Sequence, residues 1–449
     1  MSDSVNVVPV IDTSNSMTYY GYVDITKRDS KAFVSYARAG DGLAVVNYDT
    51  NAHAAYPSTS SLAIVDANLS QAIQAANAID GLNFTGAATN IGGGIVQAKG
   101  FLDSATTPKA MVLLSDGYQN HGTDPLSVLP DYPIYTCAMG PNADTHLMQQ
   151  IASQTGGQYY NAPYPSTMMF IFNEIRSLPT FVNSVQNKLN SIVPQGYALV
   201  PATLSADNKG GQFGIVWDDN SLTYTTLSSP GPTQISITLV DPTGNIYAAS
   251  PQIVGEGYVV FDLDNPAEGT WYAQVISGAP TKTIQVTTGG FELPNDPASS
   301  PNLVVKAGKA KAGKPLKVET QVLEGEEPLT DLHVTTSVMQ PTISVKNALK
   351  KYGADLKEIR IPSMDRSEHI PENIQRLSIL RQHMMPRLDI LAHRKYPLLS
   401  EATKARSYQS VICDTEQAGD YSIHVEVTGI SRRTKRPFSR HKIITGIVE

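Results

Sequence analysis

Cysteine and tryptophan are both scarce in this chain, with two of each among 449 residues. Cys137 and Cys413 lie far apart in different segments, which excludes a disulfide framework and makes buried structural thiols the expected role. Charged residues are also few, at 17%, and no run of about 18 apolar residues occurs, so no membrane-spanning helix is predicted. The N-terminus, "MSDSVNVVPV", has no basic region followed by a long apolar core, and no signal peptide is expected. Cytoplasmic residence is the default expectation, with export by an unconventional route as the other.

What is plentiful is turn chemistry: 33 Gly and 29 Pro accompany 41% apolar residues, the composition of an ordinary folded protein. The length implies two to four domains of about 100–200 residues each. The net charge of −7 is unevenly spread. Residues 1–180 carry 7 Lys and Arg against 14 Asp and Glu, whereas residues 346–407 carry 13 against 7. That balance argues against nucleic-acid binding and leaves the basic stretch as a local site for an anionic partner.

From residue 5 to about 180, β-branched runs alternate with helical patterns, the signature of a parallel sheet covered by helices. The strands are expected at 5–11, 42–48, 109–115 and 133–139, and the helices at about 24–38, 66–79, 91–104, 144–155 and 167–177. Next comes "FVNSVQNKLNSIV", read as a helical connector over 181–194. Short alternating segments with Pro-Thr-Gly and Asn-Pro turns then predict a β-sandwich over 195–290, and a Pro/Ser/Asn-rich linker follows at 291–301. Strand patterns resume over 302–449 as a second sandwich, interrupted by a helical basic insert at about 343–406. Within the insert Leu377, Leu380, Met384, Leu388 and Leu391 step by 3, 4, 4 and 3 residues, which predicts an amphipathic helix. Its arginines, with Lys395, make it a candidate for a partner or a membrane surface, and packing on its own sandwich is the structural alternative.

Three segments carry the chemistry. "VIDTSNSM" ends an apolar strand in Asp12, Thr13, Ser14, Asn15 and Ser16; "TGAATNIGGG" sets Thr89 before a Gly-rich helix start; "VLLSDGYQN" ends another strand in Asp116. Small polar residues after a parallel strand also serve as helix caps, so the first segment alone is ambiguous. In an open α/β sheet, however, ligands bind outside the carboxyl ends of the strands, where all three segments fall.

In order and chemistry the three segments resemble the metal-ion-dependent adhesion site of von Willebrand factor A domains, D-x-S-x-S followed by Thr and then Asp. The resemblance covers about residues 1–180. Asn15 and Ala88 depart from it where Gly is frequent, and neither change removes a ligand oxygen. With two Ig-like β-sandwiches expected from the strand patterns above, the last with the helical insertion, the chain is read as multidomain, and the resemblance implies that its N-terminal unit is an α/β, Rossmann-like A domain at 1–180. It implies Asp12, Ser14, Ser16, Thr89 and Asp116 as metal residues, with the carboxylates acting directly or through water. Mg²⁺, with Mn²⁺ or Ca²⁺ as substitutes, is the implied cofactor, and the partner is a protein presenting Asp or Glu. Neutral hydroxyl ligands suit that role because they leave much of the cation's charge for an incoming carboxylate.

An A domain followed by sandwiches, with "VDPTGN" and "GDYSIHVEVTG", also resembles part of the calcium-activated chloride channel regulator family, without its protease domain. Two rivals are weighed against the binding module. One is a structural or assembly subunit whose metal site is closed by a carboxylate of its own chain. The other is a phosphatase-like enzyme using Asp12 as nucleophile; such enzymes use D-x-D, and Ser14 stands at the second carboxylate's place. No Walker loop, H-E-x-x-H or G-x-S-x-G motif is present, and His53, His121 and His146 form no pattern, so no enzyme activity is expected.

Overall fold

A computed structural model of the chain describes residues 4–105, 108–140, 143–162, 167–177, 182–341, 343, 345–361, 372–373, 375–377, 380, 393–398, 400–403 and 406–449. The first unit runs β1 (Asn6–Asp12), α1 (Asn15–Tyr19), α2 (Val23–Val34), β2 (Gly42–Leu43), β3 (Val45–Tyr48), β4 (Ala52–Tyr56), β5 (Ala63–Ile64) and α3 (Ser70–Asp80). It continues through α4 (Ile91–Leu102), β6 (Lys109–Ser115), β7 (Ile134–Met139), α5 (Thr145–Thr155), β8 (Tyr159–Ala162) and α6 (Met168–Ser177). The main row of its sheet is β4-β3-β1-β6-β7-β8, parallel throughout except for β4, which runs antiparallel to β3 at the edge.

The β-branched run of β1 is explained by burial on both faces. Val7 and Ile11 point into one apolar layer with α2, α3 and α6. Val8 and Val10 point into the opposite layer with α4 and α5. The glycines that open α4 allow it to lie close to the sheet: a Cβ at Gly94 would stand 2.8 Å from the Tyr48 ring.

The middle unit comprises β9 (Asn183–Ile192), β10 (Tyr197–Leu204), β11 (Asn208–Trp217), β12 (Thr223–Thr225), β13 (Gln234–Val240), β14 (Ile253–Gly255), β15 (Tyr258–Asp264), β16 (Gly269–Ser277) and β17 (Ile284–Pro294). Two sheets, β10-β16-β13-β12 and β14-β15-β11-β17-β9, share a core around Phe213, Trp217 and Trp271. Residues 183–192 are therefore a strand, which corrects the helical connector expected over 181–194. Val182, Val185, Leu189 and Ile192 are spaced like one helix face, but pairing of this segment with β17 wins, and Leu189 is left 40% exposed. The expected linker also starts too early, because β17 continues to Pro294 with Phe291 and Glu292 in the ladder.

The five-stranded sheet is covered on its second face by α2 and α6, so β11 is buried along nearly its whole length. Val216, Tyr258, Val260 and Phe291 belong to the same apolar cluster as Phe33 and Phe172 of those helices. The Tyr36 hydroxyl donates to Asn173 Oδ1 (2.8 Å), and the Tyr36 carbonyl accepts from Gln212 Nε2 (3.0 Å). Gly214 is required at this contact, since a Cβ there would stand 1.9 Å from the Tyr36 hydroxyl.

The last unit contains β18 (Asn302–Ala307), β19 (Lys309–Ala310), β20 (Leu316–Glu324), β21 (Glu327–Pro328), β22 (His333–Pro341), α7 (Val345–Lys351) and α8 (Gly353–Glu358). It ends with β23 (His393–Leu398), β24 (Ser400–Ala402), β25 (Tyr408–Ile412), β26 (Gly419–Ile430) and β27 (Pro437–Val448). Its two sheets, β18-β20-β25-β24 and β19-β27-β26-β22-β23, again enclose one core. The insert is shorter than expected. His393–Leu398 pairs with β22, which puts Arg394 and Lys395 on a strand and not on the expected amphipathic helix. Met384, Leu388 and Leu391 of that helix lie outside the described residues. Leu377 and Leu380 are buried against Ala348, Tyr352 and Leu356, in a cluster separate from the main core of this unit.

Cys137 is buried as expected, but Cys413 is exposed next to β25, so only one thiol has the structural role. Among the described residues no helix is long and apolar enough to cross a membrane.

Candidate metal centre

Strand order brings the three motif segments together. β1 lies between β3 and β6, so the chain leaves it in opposite directions on its two sides, the switch point where open α/β sheets form a crevice. Asp12 ends β1, and Asp116 immediately follows β6 on the neighbouring strand. Thr89 stands just ahead of α4, whose N-cap is Asn90; the Asn90 side chain accepts from Gly93 N–H (2.8 Å). Because Asn90 caps the helix, the Thr89 side chain is not used for capping.

Asp12 is fully buried beneath the loops. Its Oδ1 accepts from the Ser14 amide (2.9 Å), and its Oδ2 accepts from Ser115 Oγ (2.8 Å). Ser14 occupies the N-cap position of α1, yet its side chain makes no cap hydrogen bond. The Ser14 and Ser16 hydroxyl oxygens lie 2.9 Å apart, and Ser16 Oγ donates to Asp116 Oδ1 at 2.8 Å. Thr89 is buried, and a Cβ at Gly117 would stand 3.4 Å from its Oγ1, which sets this hydroxyl against the Asp116–Gly117 loop. All five residues expected from sequence thus fall at one end of the sheet.

The electrostatics of the cluster favour a cation. Burial pushes the Asp12 carboxyl up to about 6; the hydrogen bonds from Ser14 and Ser115 oppose this, and the Asp49 charge adds to it. The donor spacing fits a small hard ion. Metal–oxygen bonds of about 2.0–2.1 Å in an octahedron separate adjacent ligands by about 2.9 Å. The Ser14, Ser16 and Asp116 oxygens are spaced at 2.9 and 2.8 Å, as three successive corners of such a figure would be. Among the described residues no group of three or more His, Cys, Asp and Glu side chains gathers for a metal, so a cation here depends on hydroxyls.

Several supporting residues were not anticipated. Ser115 orients Asp12, Asn47 Nδ2 donates to Thr13 Oγ1 (3.1 Å), and Gln119 and Asn120 contact the Thr89 segment. Only Ser115 had a signal in sequence, as the polar residue that ends an apolar strand just before the aspartate. His53, His121 and His146 are exposed, in keeping with their lack of pattern.

Residues 6–182 match the von Willebrand factor type A domain family, and this segment is such a domain. Domains of this type are typically interaction modules. Among solved structures, a von Willebrand factor type A protein from Catenulispora acidiphila is 16% identical, with a TM-score of 0.38, over 73% of this chain and 64% of that one. The ArnB paralog VWA2 from Sulfolobus acidocaldarius is 12% identical, with a TM-score of 0.32 and the same two coverages. Proximal thread matrix protein 1 from the mussel byssus, in a structure with a zinc-occupied MIDAS motif, is 16% identical, with a TM-score of 0.33, over 42% of this chain and 50% of that one. The present chain thus spans less than two thirds of the length of each. No curated protein matches it.

Proposed function

We propose that the chain is a metal-dependent protein-binding module, in which a divalent cation held by Asp12, Ser14, Ser16, Thr89 and Asp116 captures an Asp or Glu of a partner protein. The observation that carries this reading is the row of Ser14, Ser16 and Asp116 oxygens, spaced at 2.9 and 2.8 Å above a buried Asp12. Mg²⁺ suits that spacing better than Ca²⁺, which takes longer bonds and more ligands. The bound cation would supply Lewis acidity toward a carboxylate. This chain's own residues would hold it through neutral hydroxyl oxygens, leaving its positive charge largely uncompensated for the partner. No residue is assigned a catalytic role. The two sheet pairs, read as Ig-like sandwiches, would serve as a rigid mount for the binding face.

Titration calorimetry on the full chain tests the site. The full chain is the right material, because α2 and α6 bury their outer faces on the middle sheet and an isolated N-terminal fragment would expose them. One Mg²⁺ or Mn²⁺ per chain is expected, and it should be lost in Asp12→Ala. Affinity capture with Mg²⁺ and with EDTA then tests the use of the site. A partner retained equally in both would place recognition elsewhere on the molecule.

A further inference from the structure

The Thr89 hydroxyl sits in a segment that has no regular hydrogen-bonded partner strand, so something else must fix it. Both backbone groups of Thr89 are bound by one residue 31 positions away. Its N–H donates to Asn120 Oδ1 at 2.8 Å, and its carbonyl accepts from the Asn120 N–H at 3.1 Å. The neighbouring Gln119 extends this clamp: its Oε1 accepts from Ile91 N–H at 2.6 Å, and its Nε2 donates to the Thr123 carbonyl at 3.0 Å. The two loops lie close enough to need glycine, since a Cβ at Gly92 would stand 2.0 Å from the Thr123 carbonyl oxygen.

We infer that Asn120 is a positioning residue for the metal centre, acting through Thr89, with Gln119 anchoring the start of α4 beside it. This inference rests on the metal-site reading above. Asn120 is solvent-exposed and adds little to any core, so the two bonds it makes across the crevice are its main structural contribution. The backbone half of the clamp survives truncation of the side chain; the carboxamide half does not. Outer-sphere partners of this kind typically change metal affinity by about 10–100-fold. Asn120 makes half of its clamp through the backbone, so Asn120→Ala should fall near the lower end.

A double-mutant cycle tests this on the full chain, read by Mg²⁺ calorimetry together with thermal unfolding in EDTA. Asn120→Ala should weaken Mg²⁺ about tenfold while leaving metal-free unfolding nearly unchanged. Asn120→Asp, which keeps the acceptor for the Thr89 amide, should restore binding. In a Thr89→Ala background, Asn120→Ala should change Mg²⁺ affinity much less, because the hydroxyl it positions has gone. Wild-type heat with unchanged heat in Asn120→Ala, or fully additive losses in the double variant, overturns the inference and leaves the metal site standing. Absence of heat in the wild type removes the site itself, and the inference with it.

Discussion

Two of the fully buried carboxylates of this molecule, Glu292 and Asp12, are compensated in opposite ways. Glu292 lies at the junction of the middle and last units, where Arg440 Nη2 reaches its Oε1 at 2.7 Å. Its Oε2 accepts from both the amide and the hydroxyl of Ser205, each at 2.8 Å. Arg440 also donates to the Pro301 carbonyl, the Ser439 carbonyl and Ser300 Oγ. Asp12, equally deep, is held by neutral donors, and the charge that acts on it is Asp49, of its own sign. A buried charge is costly unless it is paired. The chain supplies the counter-charge for Glu292 itself; at Asp12 the compensation is left to a proton or a cation. The first arrangement belongs to a joint between units, the second to the proposed metal site.

The sharpest way to break this comparison is at the joint. Arg440→Met leaves Glu292 buried without its partner and should cost about 3–5 kcal/mol in urea unfolding. The double variant Arg440→Met, Glu292→Leu should recover most of that loss. Full recovery would show that the pair gives no net stability; no recovery would assign the loss to the carbonyl contacts of Arg440.

At Asp12 the corresponding change should depend on metal. In EDTA, Asp12→Asn should be near neutral or stabilising, because it removes a buried charge without leaving a cationic partner behind. With Mg²⁺ at 100 times its dissociation constant, the wild type should gain about 2.7 kcal/mol that the variant does not. Thermal melts with and without Mg²⁺ read both effects, and equal shifts in the two proteins would count against the site.

Glu174 gives an intermediate case. It is buried where α6 meets β27, accepts from the Ile443 amide at 2.9 Å and lies 4.0 Å from His441 Nδ1. Burial raises its carboxyl from 4.5 to about 7, against the opposing influence of Lys442 and the Ile443 amide. The folded value exceeds the unfolded one, so its contribution to stability is complete below about 4.5 and is lost as pH rises through about 7. Glu174→Gln should remove roughly 1–3 kcal/mol of that slope between those limits, leaving a flatter profile of urea midpoints against pH. An unchanged profile would assign the slope to other groups.

The smallest effect on the fold is expected at Thr89. Thr89→Ala removes one hydroxyl from a loop and should change metal-free stability by less than about 0.5 kcal/mol, while weakening both Mg²⁺ and any partner that depends on it. A large loss of stability in EDTA would make Thr89 a structural residue first.

Sequence reasoning reached the candidate site further than it reached the architecture around it. The run Val5–Ile11 is legible as a doubly buried strand because burial on both faces removes the polar alternation, and the oxygen-bearing residues after it are contiguous. β9 was not legible, because Val182, Val185, Leu189 and Ile192 have helical spacing and only the ladder to β17 makes them a strand. The buried charges of α2 were equally hidden. Arg28, Asp29 and Lys31 look like a solvated face, yet all three are buried: Arg28 lies against Gly257 of the middle unit, Asp29 meets the Met169 backbone of α6, and Lys31 pairs with Asp80 at the end of α3. Asn120 had no signal at all, since its partner lies 31 residues away and the bonds are to the Thr89 backbone.

The sequence by itself determined which atoms are on offer. Hydroxyls and carboxylates at Asp12, Ser14, Ser16, Thr89 and Asp116 are local choices, each placed at the end of a strand or the start of a helix by short-range pattern. Only the tertiary structure decided that they meet, and how firmly. The order β3-β1-β6 sets Asp12 beside Asp116, and the glycines of α4 let the Thr89 segment close against Asn120. The helices beneath are fixed by burying their outer faces on a sheet from another part of the chain. Donor chemistry is a property of single residues, whereas the 2.8 Å spacing between Ser16 and Asp116, 100 positions apart, depends on strand pairing and packing, which no local segment encodes.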